Sequence, residues 1–319
     1  MSLKFPKTRG ASELSIERSI LGPDIELVHY SCDGNEDHLI AACLGADVVL
    51  TDYSPLSSRV IEQLPQCRLI SVAATGYNSI DLEAAAAGIR VCAIDEYCTD
   101  EVADHVMLLM LALCRRLPEY HEQVQRDQRW QFDSLSGLAR LRDMTLGIVG
   151  FGKIGQAVAR RAVGFGLELI AYDPFPNQEK AADLGVRLCG LDQLVAEANI
   201  ISLNCGLSAT NEHLLDASAF KKMKQRPFVI NCARGALIDE TALVEALDTG
   251  KISGAGLDVL SEESPNLRSS KLTGRGNVIL TPHVAFYSDA SILENRRISS
   301  ANIRSFLDGK HDNVRRYVL

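Results

Sequence analysis

The sequence has no apolar run long enough to cross a membrane. Its longest, residues 106–114, is about half the roughly 20 residues that a transmembrane helix needs. The opening "MSLKFPKTRG" also lacks the hydrophobic stretch and small-residue cleavage site of a secretory leader, and it shows no lipidation motif. We therefore expect a cytoplasmic protein with no membrane partner.

Paired cysteine motifs are absent as well. The nine cysteines form no C-x-x-C pair, and most lie inside apolar segments, at positions 32, 43, 67, 92, 98, 114, 189, 205 and 232. This distribution is typical of buried reduced thiols and argues against a zinc site. We expect no metal ion.

Basic charge is in deficit. The chain has 33 Lys and Arg against 41 Asp and Glu, a formal net charge of -8 at pH 7, and its basic residues are scattered. Such a surface would repel a phosphate backbone, so no nucleic-acid partner is expected. The length of 319 residues instead fits two folded domains.

Short β-branched runs alternate with helical patterns from Ile25 onward. The predicted strands are "IELVH", "DVVL", "RLISV" and "RVCAI", and helices are predicted at 35–44 and 55–64. This alternation indicates a small α/β domain. The opening "LKFPKTRGASELS" is a poor candidate for a strand, and we expect a frayed edge there.

The stretch "EVADHVMLLMLALCRRL" is apolar nearly all round, which is typical of a helix buried between two domains. We place the first domain boundary there, near residue 101. A second alternation follows, with strands predicted at 146–149, 168–172, 186–188, 200–203, 228–231, 254–257 and 278–280. This pattern fits a doubly wound, mostly parallel sheet.

After the last strand, Ser288 is expected to cap a helix with Ile292, Leu293, Ile298, Ile303 and Phe306 facing inward. This tail is too short to form a domain and should return to the first one. We therefore predict an α/β chain of two domains. A Rossmann-type doubly wound domain at 102–287 is inserted into a smaller flavodoxin-like substrate domain made of 1–101 and 288–319.

The stretch "LGIVGFGKIG" carries glycines at 150, 152 and 155 with G-x-G-x-x-G spacing. It follows an apolar strand and opens an Ala-rich helix, and the next strand ends in Asp173, 18 residues beyond Gly155 (173 minus 155). The helix N-terminus can bind a pyrophosphate, and Asp173 can accept hydrogen bonds from ribose hydroxyls. Because "DPFPNQ" offers no base to balance a 2′-phosphate, NAD is predicted over NADP.

Three polar residues follow the ends of later strands: Arg234 in "NCARGALID", Glu263 in "GLDVLSEESP" and His283 in "ILTPHVAF". Ligands of open α/β sheets bind at this edge, where residues distant in sequence converge. Taken singly, they could be a surface ion-pair partner, a solvated loop acid and a capping histidine. Together they supply a carboxylate anchor, an acid that tunes a proton carrier, and the carrier itself.

These motifs resemble the D-isomer-specific 2-hydroxyacid dehydrogenases over nearly the whole length, through "GYNSIDLEAAAAGI", "LGIVGFGKIGQAVA", "NCARGALIDE", "GAGLDVLSEE" and "TPHVAFYS". Within that family, "NCGL", "GAGLDV" and "PHVAFYSDAS" look most like the branch that includes the C-terminal binding proteins. The resemblance implies NAD-dependent hydride transfer between a small D-2-hydroxy acid and its 2-keto acid. It also implies a homodimer formed through the cofactor domain.

The resemblance also assigns site residues. Catalytic roles carry over onto Arg234, Glu263 and His283; the family usually has proline directly after the Glu, whereas Ser264 precedes Pro265 here, so Glu262 stays open as the acid. The implied cofactor-binding residues are Gly150, Gly152, Lys153, Ile154, Gly155, Asp173, Cys205, Gly206, Cys232, Ala233, Arg234, Asp258 and His283. The implied substrate-binding residues are Ala74, Thr75, Gly76, Arg234 and His283.

The expected chemistry follows from these groups. Arg234 holds the substrate carboxylate and polarises the keto oxygen, while N–H groups of the loop 73–76 add to carboxylate binding. His283 gives a proton to the oxygen as NADH delivers hydride to C2, and takes it back in oxidation. A carboxylate beside the imidazole favours its charged form and fixes its tautomer.

Two other functions stay open. An NAD-sensing corepressor-like protein keeps the same three residues, although the long disordered tail expected of that branch does not follow Leu319. In phosphoglycerate dehydrogenases, basic residues in the loop after the second predicted strand bind the phosphate. Here "LTDYSPLSS" offers Thr51, Asp52 and Tyr53, and an acidic residue would oppose a phosphate.

Overall fold

The computed structural model describes residues 2–6, 14–30, 35–52, 54–86, 88–138 and 140–319. Contacts between Cα atoms divide the chain into two compact units. One consists of Met1–Tyr97 together with Ser288–Leu319, and the other of Cys98–Tyr287. The second unit is therefore inserted into the sequence of the first.

Parallel strands and helices alternate in the first unit. Its elements are β1 (Ser2–Pro6), α1 (Ser15–Leu21), β2 (Glu26–Tyr30), α2 (Glu36–Cys43), β3 (Val48–Thr51), α3 (Ser58–Glu62), β4 (Leu69–Val72), α4 (Leu82–Ala85), β5 (Arg90–Ala93) and, after the inserted unit, α12 (Asp289–Leu307). Among the described residues, the strands form one parallel sheet in the order β2-β1-β3-β4-β5. This is the flavodoxin-like order, so the predicted fold of this unit is confirmed.

The prediction of a frayed edge at the start of the chain was wrong for residues 2–6. β1 pairs with β2 along its length and with β3 through Leu3 and Lys4, so it is an interior strand. Leu3 is buried. The position of β1 depends on hydrogen bonds between its backbone and two parallel neighbours. The sequence "SLKFP", which has few apolar residues, does not reveal these partners. Residues 7–13, the rest of that segment up to Glu13, lie outside the described residues.

The second unit repeats the alternation on a larger scale. Its elements are α5 (Thr99–Cys114), α6 (Leu117–Gln125), β6 (Thr145–Val149), α7 (Lys153–Val163), β7 (Glu168–Tyr172), α8 (Gln178–Asp183), β8 (Arg187–Leu188), α9 (Leu191–Glu197), β9 (Ile200–Leu203), α10 (Ala217–Lys222), β10 (Phe228–Asn231), α11 (Glu240–Asp248), β11 (Gly254–Leu257) and β12 (Val278–Leu280). The strands lie in the order β12-β11-β10-β9-β6-β7-β8. The order reverses between β6 and β9, the point at which doubly wound sheets bind their ligands, and the predicted Rossmann-type sheet is confirmed.

Helix α5 covers one face of this sheet. It packs on α7 and against β10 and β11. A Cβ built on Gly256 of β11 would lie 3.0 Å from the Cβ of Leu109, so the helix approaches the strand closely. This contact accounts for the apolar face that α5 presents to the sheet.

Helix α12 buries a mostly polar face in the first unit. Ser288 is its N-cap and forms a reciprocal capping box with Ser291. Ile298 and Ile303 are buried as predicted, together with the polar Asn295, but Leu293 is 40% exposed. The inward orientation predicted for Leu293 was wrong. The prediction took the apolar residues as the buried face, whereas most of the buried side chains of α12 are polar.

Candidate active site

At each of its three positions, the G-x-G-x-x-G loop requires glycine for a different steric reason. Gly150 directly follows β6 and has a φ of +91°, and a Cβ there would lie 2.7 Å from the backbone nitrogen of Cys205. A Cβ on Gly155 would lie 2.1 Å from the Gly150 carbonyl oxygen, so only glycine lets α7 approach the loop. A Cβ on Gly152 would meet nothing within 4 Å. The open space at Gly152, the N-cap of α7, is where a pyrophosphate would need room.

Asp173 holds the glycine loop and the end of β7 together. Its Oδ2 accepts a hydrogen bond from the Phe151 N–H and its Oδ1 accepts one from the Phe175 N–H, both at 2.8 Å. Each carboxylate oxygen retains a further lone pair, so the group can also accept from ribose hydroxyls. The negative charge therefore lies beside the loop that would cradle a dinucleotide.

The loops after β9 and β10 bring further predicted residues to the same edge of the sheet. Cys205 and Gly206 follow β9, where burial raises the pKa of the Cys205 thiol to about 11 and nearby Asp173 adds to the rise. Cys232 and Ala233 follow β10, and burial, aided by Asp258, holds the pKa of the Cys232 thiol well above its usual value. Both thiols therefore stay protonated near neutral pH.

Two residues that sequence reasoning missed shape the loop that carries Arg234. Buried Asn231 accepts a hydrogen bond from the Ala233 N–H and donates one to the Arg234 carbonyl. A Cβ on Gly235 would lie 1.9 Å from the carbonyl oxygen of Leu260, so the loops after β10 and β11 touch. Both residues stand inside the quoted motif "NCARGALIDE", which was the available signal.

Asp258 organises the backbone that carries His283. This buried carboxylate accepts hydrogen bonds from the Val284 and Ala285 N–H groups at 2.9 Å and from the Thr281 hydroxyl at 2.5 Å. His105 of α5 lies 3.0 Å from the same hydroxyl. Thr281 belongs to the motif "TPHVAFYS". His105 lies on a helix 176 residues away in the sequence, and no sequence motif pointed to it. Cofactor contact by Asp258 stays a prediction.

His283 and Glu263 form a direct pair. Nδ1 of His283 lies 2.8 Å from Oε2 of Glu263, and the imidazole is 24% exposed. The hydrogen bond with His283, together with the charges of His283 and Arg234, holds the pKa of the Glu263 carboxyl below its usual range against the effect of burial. His283 has a φ of +51°, a strained conformation that is typical of functional sites.

The neighbouring loop is held so that Glu263 can reach the imidazole. Glu240, at the start of α11, accepts hydrogen bonds from the Ser261 N–H and hydroxyl. The structure thus brings Arg234, Glu263 and His283 together, and it places Glu263 rather than Glu262 against the histidine. The catalytic assignment itself stays a prediction.

The substrate-binding loop predicted at 73–76 follows β4 in the first unit. The Ala73 carbonyl accepts a hydrogen bond from the Asn295 side chain at 2.7 Å, and the Ala74 carbonyl accepts one from the Ile94 N–H at 3.0 Å. Within the described part of the chain, the N–H groups of Ala74, Thr75 and Gly76 meet no acceptor. Unpaired N–H groups of this kind can bind an anion.

The site residues fit a dinucleotide and offer little to a metal. An open N-cap at Gly152 and a carboxylate at Asp173 match the needs of a pyrophosphate and a ribose. Across the described ranges, no three His, Cys, Asp or Glu side chains are grouped to hold a metal ion. No helix in those ranges is both long and apolar enough to span a bilayer.

Comparisons with known proteins agree with this geometry. Residues 107–285 match the family model described as D-isomer specific 2-hydroxyacid dehydrogenase, NAD binding domain. The chain is 34% identical over 302 residues to a glycerate dehydrogenase of Methylorubrum extorquens, covering 91% of each chain. It is 38% identical over 238 residues to a D-3-phosphoglycerate dehydrogenase of Synechocystis, covering 74% of this chain and 42% of that protein.

A solved structure is similar over the full length. The D-lactate dehydrogenase of Aquifex aeolicus, complexed with NAD and lactic acid, superposes with a TM-score of 0.89 at 27% identity, covering 99% of this chain and 98% of that one. The fold and site define an NAD-dependent oxidoreductase. The chain belongs to the D-isomer specific 2-hydroxyacid dehydrogenase family.

Proposed function

We propose that this protein interconverts a small D-2-hydroxy acid and its 2-keto acid with NAD as the cofactor. The observation that carries the proposal is the pairing of His283 with Glu263 at 2.8 Å, with the Arg234 charge close by. A fixed imidazole and a guanidinium at the dinucleotide-binding edge of the sheet suit reversible reduction of a carbonyl beside a carboxylate.

Arg234 anchors the substrate. Its planar guanidinium holds the carboxylate through paired hydrogen bonds and polarises the adjacent keto oxygen. In the first unit, the N–H groups of Ala74, Thr75 and Gly76 in the loop 73–76 can bind a carboxylate.

His283 carries the proton. With Nδ1–H donated to Glu263, Nε2 is the nitrogen that gives a proton to the keto oxygen in reduction and takes it back in oxidation. Ionised Glu263 stabilises the charged imidazole, and Asp258 holds the loop on which the ring stands. The nicotinamide, when bound, supplies or accepts the hydride.

The loop after β3 favours a substrate without a phosphate. Thr51 is buried with its hydroxyl donated to the Ser54 carbonyl, and Asp52 adds a negative charge. Tyr53 lies outside the described residues. The next base, Arg59, is paired with Glu36 and Asp37. We therefore favour an unphosphorylated acid, although one relative is a phosphoglycerate dehydrogenase.

A homodimer formed through the second unit and a cytoplasmic location complete the proposal. Trp130 and Phe132 are each 90% exposed, and Leu108 and Leu117 are more than half exposed. Large apolar side chains on one unit suit an association surface. Light scattering after gel filtration tests the dimer, which Trp130→Glu with Phe132→Glu should dissociate.

The activity is tested by loss of NADH absorbance with pyruvate, hydroxypyruvate and phosphohydroxypyruvate, with chiral chromatography of the product. Turnover of either unphosphorylated acid to the D-isomer supports the proposal. Preference for phosphohydroxypyruvate favours the phosphoglycerate alternative. NADH binding without turnover of any keto acid favours the corepressor-like alternative.

A further inference from the structure

Residues 316–319, here called the strap, form an added edge on the sheet of the first unit. The Ala93 N–H donates to the Arg316 carbonyl, and Val91 pairs through its N–H with Leu319 and through its carbonyl with Val318. Tyr317 bridges Cys92 in antiparallel fashion. The strap is therefore fixed along β5 by backbone hydrogen bonds.

The side chain of Arg316 reaches from the strap to the loop 73–76. Its Nη1 donates to the Thr75 carbonyl at 3.2 Å, and its guanidinium carbon lies 5.2 Å from the centre of the Tyr77 ring. A cation over an aromatic face is attracted to it. Arg316 thus holds the loop at Thr75 and at Tyr77.

Three successive carbonyls of this loop are tied to the protein. Ala73 is bonded by the Asn295 side chain, Ala74 by the Ile94 N–H and Thr75 by Arg316. No described peptide bond is cis, and in a planar trans peptide the carbonyl and the following N–H point in opposite directions. Fixing these carbonyls therefore fixes the directions of the N–H groups of Ala74, Thr75 and Gly76.

We infer that Arg316 is a positioning residue for substrate binding, because it orients the Thr75–Gly76 peptide from the strap. This inference rests on the proposed function, in which the loop binds the substrate carboxylate. Arg316 acts through the loop and takes no part in proton or hydride transfer. Its effect should therefore appear in the KM of the keto acid rather than in kcat or cofactor affinity.

Arg315 is the matched control. It is the adjacent arginine, its backbone N–H donates to Asn302, and its side chain lines a groove with Ile16 and Ile298 away from the loop. Arg316→Ala should raise the keto-acid KM about tenfold, equivalent to ~1.4 kcal/mol, with kcat and NADH affinity unchanged. Arg316→Lys, which keeps a donor and the charge, should recover part of the loss. Arg315→Ala should change none of these values.

A second measurement does not depend on activity. The Ile94 N–H donates to the loop carbonyl of Ala74, so its hydrogen exchange should accelerate in Arg316→Ala and stay unchanged in Arg315→Ala. Absence of keto-acid turnover in the wild type would overturn the proposed function, while the exchange rates would still test the link between strap and loop. Unchanged KM and exchange in a folded Arg316→Ala, or equal effects of Arg315→Ala, would overturn the inference.

Discussion

Nδ1 of His283 lies 2.8 Å from Oε2 of Glu263, and the backbone of His283 has a φ of +51°. The strained backbone is held by Asp258, which accepts hydrogen bonds from the two N–H groups that follow His283. Glu263 stands on a loop fixed through Ser261 to Glu240. The pair is therefore preorganised from both sides, which is what a proton-transfer group requires.

Glu263→Gln should move the acid-base limb of the kcat/KM profile to lower pH. The wild-type carboxyl has a lowered pKa and is ionised at neutral pH, so it favours the charged imidazole, and the amide removes that charge. Profiles for keto-acid reduction measure the shift, with Glu262→Gln as the matched control. A shift in the control alone would transfer the role to Glu262.

The same variant tests stability. Folding lowers the pKa of the Glu263 carboxyl, so its pairing with His283 stabilises the folded protein at any pH above the pKa of an unfolded glutamate. This stabilisation is lost as the pH falls through the lowered pKa of the folded state. The difference in unfolding free energy between wild type and Glu263→Gln should therefore be present at neutral pH and vanish in acid. Denaturant unfolding at several pH values measures it, and a difference that grows in acid would contradict the pairing.

His283→Asn should lower kcat by roughly 10² to 10⁴, the usual contribution of a general acid–base group. NADH affinity, followed by fluorescence, should change little, since the glycine loop would hold the pyrophosphate. Turnover near that of the wild type would remove His283 from the mechanism.

Arg234→Lys should raise the keto-acid KM and lower kcat together. Lysine keeps the charge but loses the fork that spans carboxylate and carbonyl, so the loss should reach a few kcal/mol, about that of removing one preorganised donor. Kinetics with a keto acid and its methyl ester measure the loss. If the wild type reduced both equally well, carboxylate anchoring by Arg234 would have to be abandoned.

The wild type should prefer NADH over NADPH by more than about tenfold in kcat/KM, or ~1.4 kcal/mol, because a 2′-phosphate would meet Asp173. Asp173→Ala should reduce the preference for NADH over NADPH, mainly by lowering kcat/KM for NADH. The substitution also removes the carboxylate that accepts hydrogen bonds from the Phe151 and Phe175 N–H groups. Cofactor kinetics of both proteins decide the matter, and equal wild-type use of both cofactors would refute the prediction.

Gly152→Ala and Gly155→Ala form a matched pair. A Cβ at Gly152 points into open space, so this variant should keep its melting temperature and lose NADH affinity. A Cβ at Gly155 would meet the Gly150 carbonyl oxygen, so that variant should lose about 1–3 kcal/mol of stability, as overpacked cores do. Calorimetry and NADH titration separate the two effects, and a destabilised Gly152→Ala with normal affinity would contradict the proposed cradle.

The sequence by itself determined the two α/β sheets, the dinucleotide loop and the three polar residues at the edge of the second sheet. Strand periodicity shows where parallel strands end, and those ends share one edge, so the convergence of Arg234, Glu263 and His283 could be predicted without coordinates. The glycine loop was readable because its local steric demands appear as residue types at fixed spacing.

Only the tertiary structure decided which acid meets His283, because Glu262 and Glu263 are adjacent and loop direction depends on contacts with Glu240 and Leu260. It alone showed that β1 lies inside its sheet and that Leu293 is exposed. Neither the pairing partners of a strand nor a helix face buried through polar side chains produces an apolar pattern in the sequence. The contact of Arg316 with Thr75 joins residues 241 positions apart. Such contacts depend on chain topology, which local sequence patterns do not encode.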